Sequence, residues 1–128
     1  MMLTFNKNRT RELKALLHNS CVHDAKLETI EYKCEEDSVK IELFNPNFGV
    51  RIKLICLNVG IALTIKGEWA GDRETINSLT VEEDFSYLQN YLLKHSESLE
   101  DSLYLLFQMF SGDELHIVSK KVIVEIIE

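Results

Sequence analysis

From Asp37 to Lys66 apolar and polar residues take turns, and this two-residue rhythm limits the fold more tightly than any single side chain. Val39, Ile41 and Leu43 alternate with Lys40 and Glu42. Val50, Ile52 and Leu54 alternate with Arg51 and Lys53, and Ile61, Leu63 and Ile65 with Thr64 and Lys66. Successive side chains of a strand point to opposite faces, so each run reads as a strand with one core face and one wet face.

The flanking segments extend this pattern. Leu13, Leu16 and Leu17 fall at helical spacing with Arg9, Arg11, Glu12 and Lys14 on the other side, which predicts a helix over about Asn8 to His18. Val22 to Lys33 reads as a first strand whose phase shifts between Leu27 and Ile30, the mark of a bulge. Cys34 to Asp37 is a turn and Ser38 to Phe44 a second strand. Asn45-Pro46-Asn47-Phe48-Gly49 is a loop, because Pro and Gly break a ladder and Asn favours turns. Val50 to Leu57 is a third strand, Asn58-Val59-Gly60 a tight turn, Ile61 to Trp69 a fourth strand and Thr75 to Val81 a fifth.

A second helix is expected over Val81 to His95. Thr80 and Glu83 have capping-box spacing, and Phe85, Leu88, Tyr91 and Leu92 form one stripe. Leu103 to Phe110 is apolar on both phases and predicts a central strand covered on both faces. Ser111-Gly112-Asp113 reads as a hairpin turn. Leu115 to Val118 then forms a strand, Ser119-Lys120-Lys121 an interruption and Val122 to Ile127 a final, paired strand. The expected fold is a single α+β domain over residues 1–128, a mostly antiparallel sheet of six to eight strands with meander connections and two helices.

The chain carries 45% hydrophobic and 27% charged residues, ordinary for a globular protein. Its net charge of −7 is uneven: residues 1–20 hold four basic side chains and one acidic, the remainder ten basic and twenty acidic. An acidic body repels phosphate backbones, so nucleic acid is excluded as the expected partner, and the same field speeds association with a basic protein. Cys21, Cys34 and Cys56 are odd in number and lack CxxC spacing, which fits a reducing compartment, the cytoplasm. The first residues lack an apolar signal core, and no uncharged run approaches the about 20 residues of a membrane helix.

Four clusters offer candidate chemistry. His18, Cys21, His23 and Asp24 are metal-capable types within seven residues, yet a tetrahedral zinc site needs converging ligands and the sequence flags none beyond them. Cys21 beside His23 or His116 is a conceivable nucleophile and base, without a local signature to support it. Glu35-Glu36-Asp37 and Glu82-Glu83-Asp84 read as a solvated turn and a helix start, and as contact charges for a basic partner. Phe44, Phe48 and Trp69 fit the core least well; they either cover the open end of the sheet or form a binding patch.

The order of these elements, with His23-Asp24-Ala25 opening a strand and Ser111-Gly112 leading into Leu115-His116-Ile117-Val118, resembles small bacterial proteins of the immunity type found in polymorphic toxin systems. The resemblance runs from about Leu13 to Ile126 and implies a protein that binds and neutralises a toxin domain without catalysis and without a cofactor. The expectation is therefore a non-enzymatic, cytoplasmic binding protein, monomer or homodimer, that meets a basic toxin protein and neither membrane nor nucleic acid. Its expected contact residues are His23, Asp24, Phe48, Trp69, Glu82, Glu83 and Asp84. The alternative is a small-ligand binding module whose pocket is lined by Trp69 and the other aromatics.

Overall fold

The alternating runs become antiparallel strands of one sheet. The computed structural model describes residues 1–19, 22–67, 74–88 and 101–128. Among these, the chain forms β1 (Met2–Phe5), α1 (Thr10–His18), β2 (Lys26–Lys33), β3 (Ser38–Asn45), β4 (Val50–Ile65), β5 (Ile76–Glu82), β6 (Leu103–Met109) and β7 (Glu114–Ile127). Short 3₁₀ turns cover Lys7–Arg9, Cys34–Glu36 and Ser86–Leu88. The fold is α+β, a seven-stranded, mostly antiparallel sheet with a helix near the N-terminus.

The sheet order is β2-β3-β4-β7-β6-β5. Two meanders, β2-β3-β4 and β5-β6-β7, meet where β4 lies against β7, from Arg51 opposite Ile127 to Ile65 opposite Glu114. The other edge of β7 is shared end to end: β6 pairs its first half, and β1 pairs Val122 to Glu125. The final strand is thus paired on both sides, as its apolar composition requires.

The sheet curls until its outermost strands meet. The Asp24 amide donates to the Ile76 carbonyl at 3.0 Å, the Ile76 amide to Ala25 at 2.8 Å and the Leu27 amide to Glu74 at 2.7 Å. These bonds and the Lys26–Thr75 bridge close one end of a partial barrel. The main core fills its concave side. Val39, Ile41 and Leu43 of β3, Ile52, Leu54 and Cys56 of β4, and Leu103, Leu105 and Phe107 of β6 all point there, with Leu13 and Leu17 of α1 packed among them. A second cluster, Ile61, Leu88, Tyr104 and Val118, lies on the opposite face, so β6 is covered on both sides as its sequence predicts.

Four boundaries differ from expectation. β2 begins at Lys26 and not at Val22, because His23 and Asp24 form a turn in which Asp24 takes the left-handed conformation (φ 69°). Asn58-Val59-Gly60 does not turn the chain; β4 runs through it, and the register shifts between Val59 and Ile61 as at a bulge. Asn58 takes the left-handed conformation that suggested a turn (φ 53°), but β7 pairs residues on both sides and holds the strand together. Ser119-Lys120-Lys121 likewise does not interrupt β7, because β4 pairs alongside it and Ser119 is buried with its hydroxyl on the Lys121 carbonyl at 3.4 Å. The helix expected over Val81 to His95 does not begin at Val81: Val81 and Glu82 end β5, opposite Leu105 and Tyr104. Cross-strand pairing outweighs the capping-box spacing, and the Thr80 hydroxyl donates to Glu82 rather than to a helix start. Residues 89–95 lie outside the described residues. The bulge read between Leu27 and Ile30 is present, at Leu27 to Thr29.

Candidate functional site

The convex face of β5, β6 and β7 carries an unusual concentration of polar groups. Strand alternation sends Tyr104, Leu106 and Gln108 of β6 to this face, together with Glu114 and His116 of β7. His116 lies opposite Leu106, so Tyr104 is its diagonal neighbour. That register brings the Tyr104 hydroxyl to 2.6 Å from His116 Nδ1. Glu114, two residues along the same strand, sets Oε1 3.3 Å from His116 Nε2. Gln108 donates to the other Glu114 oxygen at 3.2 Å, and Ser78 donates to Gln108 at 2.9 Å.

Both ring nitrogens of His116 are engaged when the phenol donates to Nδ1 and the Nε2–H donates to Glu114. His116 is only 2% exposed, so these partners replace water. Burial pushes the Tyr104 phenol up to about 12, helped by the negative charges of Glu82 and Glu114, so it remains a donor at neutral pH.

The segment after β5 folds over this network. Leu88 is fully buried in the second cluster, and Phe85 sits 5.6 Å from the Tyr104 ring. Tyr87 stacks on His116 at 5.0 Å with a 6° angle between rings. The Asp84 carboxylate accepts from the Ser86 hydroxyl and amide, and these bonds hold it below the ordinary carboxylate value. Glu83 points the other way, to Lys14 of α1 at 3.0 Å, and this hydrogen-bonded cation lowers its carboxyl as well.

The result is a cleft of about 250 Å³ lined by Glu82, Asp84, Tyr87, Tyr104, Leu106, Glu114 and His116. Three carboxylates and two phenol rings share one small space, a setting that attracts a cation able to stack on an aromatic face. Of the expected contact residues, Glu82 and Asp84 are brought here and Glu83 is not. Tyr87, Tyr104 and Glu114 carried no signal of their own in the sequence; period-two spacing from His116 along β7 marks Glu114 in retrospect.

His23 and Asp24 sit elsewhere, at the closure of the barrel. His23 Nδ1 meets the Asn77 carbonyl at 2.6 Å and Nε2 lies 3.5 Å from the Asp24 carboxylate. Asp24 adopts φ 69° while its amide bonds to Ile76, and Ala25 is fully buried. The His-Asp-Ala motif therefore stitches β2 to β5. Phe48 is 68% exposed in the turn between β3 and β4. Trp69 and Cys21 lie outside the described residues. Among the described residues no three His, Cys, Asp or Glu side chains gather to hold a metal ion, and no helix is long and apolar enough to cross a membrane. No family model, curated protein or solved structure matches the chain.

Proposed function

We propose that this chain is a non-enzymatic binding protein whose acidic cleft seats a basic side chain of a partner protein, with a toxin domain of the polymorphic type as the partner. The observation that carries this reading is that Glu82, Asp84 and Glu114 line one cleft beside the Tyr87–His116 stack. A guanidinium suits it best, since its planar fork pairs with carboxylates and its face stacks on an aromatic ring. The net charge of −7 supports the same partner chemistry by drawing a basic protein toward the surface.

The test is calorimetric titration of the full chain with a basic toxin domain encoded beside its gene. The expected result is a complex that weakens with rising salt and loosens at least about tenfold in the Glu82→Gln/Asp84→Asn/Glu114→Gln variant. No binding to such a domain, or full affinity in the triple variant, would overturn the proposal.

A further inference from the structure

We propose that the outer edge of β2, with the apolar groove beside it, accepts an extended segment of a partner protein in which apolar residues alternate with Lys or Arg. This rests on the reading of the chain as a protein-binding module and adds a second contact to the cleft.

β2 is an end strand. Among the described residues its outer edge is paired only near the barrel closure, at Lys26 and Leu27, and no strand covers it from Glu28 to Lys33. Ile30 lies opposite Ile41 and Tyr32 opposite Val39, so both belong to the core face. They are nevertheless 47% and 52% exposed. Beyond them the concave face opens as a groove of about 390 Å³ walled by Ile30, Tyr32, Val39, Ala62, Thr64 and Leu115. The groove lining carries no charge. A guest strand would lie about 4.8 Å from β2 and drop every second side chain over this groove, while its backbone completes the ladder.

Charge selects the guest. The other face of β2 and the turn after it present Glu31, Glu35, Glu36 and Asp37 against Lys26 and Lys33, all exposed and none ion-paired among the described residues. By contrast Glu28 is taken by Arg51, and Lys40 by Glu42 at 3.3 Å. A second copy of the chain is the competing guest: the antiparallel register that sets Ile30 against Tyr32 puts Glu31 on its own twin, a repulsive pair, whereas the register that sets Tyr32 on its twin puts Glu31 on Lys33.

The experiment titrates the ¹⁵N-labelled full chain with a synthetic peptide of alternating Val and Lys, about eight residues long. Amide shifts are expected across residues 28–33 and at Val39, Ala62, Thr64 and Leu115, with slower exchange of the β2 amides. A Ser-Lys peptide and a Val-Glu peptide are expected to bind at least about tenfold more weakly. The Ile30→Ser/Tyr32→Ser variant is expected to lose binding, and the exposed pair Glu31→Lys/Glu35→Lys to shift preference toward the Val-Glu peptide without touching the groove. Absence of binding, equal binding of either control peptide, shifts confined to the Glu82–Asp84–Glu114 cleft, or self-association in place of peptide binding would overturn the strand site. None of these touches the cleft reading, which fails separately if the triple carboxamide variant keeps full affinity for the toxin domain.

Discussion

Tyr104 and His116 are buried polar groups whose partners are each other and Glu114. Removing the phenol leaves His116 Nδ1 without a partner in a dry site. Tyr104→Phe is therefore expected to cost about 1–3 kcal/mol in urea unfolding, mostly from the orphaned nitrogen. Cys56 shows the same physics with a thiol: burial pushes it up to about 12, opposed by a weaker hydrogen bond with Ser119. At pH 8, iodoacetamide followed by peptide mass mapping should label exposed Cys34 and spare Cys56 until the protein unfolds. The sign of the alkaline response follows from both groups. Unfolded, the thiol ionises near 9.0 and the phenol near 10.0; folded, both hold their protons to about 12. The native state binds more protons in that window, so their contribution is whole below pH 9.0 and is lost as pH rises toward 12. Unfolding curves across this range should fall less steeply with pH for a Tyr104→Phe/Cys56→Ala variant.

Among the elements, the end of β4 depends on a close approach of backbone to backbone. A Cβ on Gly67 would stand 2.6 Å from the Asp113 amide nitrogen and against the Ser111 carbonyl, and the Gly67 amide itself donates to the Asp113 carboxylate. Nothing flexible can give way, so Gly67→Ala is expected to cost about 2 kcal/mol or more and to lower Tm by several degrees. Sequence patterning served these elements unevenly. Strands with clean alternation, such as β3, are read nearly to the residue. A bulge and a turn share the same local signature, Asn and Gly beside a change of phase. The difference at Asn58 lies in β7, whose residues Ser119 and Lys121 pair with Val59 and Leu57. Helical spacing after Thr80 was equally persuasive, yet β6 claims Val81 and Glu82 for the sheet.

For the whole molecule, the decisive step is the meeting of β2 with β5. Ala25 is fully buried at that seam beside the Ile76 backbone, so there is no room for a longer side chain. Ala25→Leu is expected to destabilise by about 1–3 kcal/mol and to speed amide exchange at Asp24, Leu27 and Ile76 more than in the centre of β4. Equal acceleration everywhere would mean that the seam is no weaker than the rest of the sheet. Strand order, rather than this closure, explains why part of the candidate site is hidden in the sequence. Glu82 and Asp84 were visible as an acidic run, but their partners Tyr104, Glu114 and His116 come from two later strands. Only the β5-β6-β7 order assembles them.

Periodicity alone determined that this chain makes alternating strands of a sheet, which residues of β3 and of β4 as far as Cys56 face its core and where β2 bulges, because each is a local consequence of side chains alternating along an extended backbone. The tertiary structure decided that β4 runs unbroken through Asn58, that His23-Asp24-Ala25 is a seam and that three carboxylates share one cleft. Those outcomes depend on which distant strand supplies the missing hydrogen bonds, and no local pattern encodes that choice.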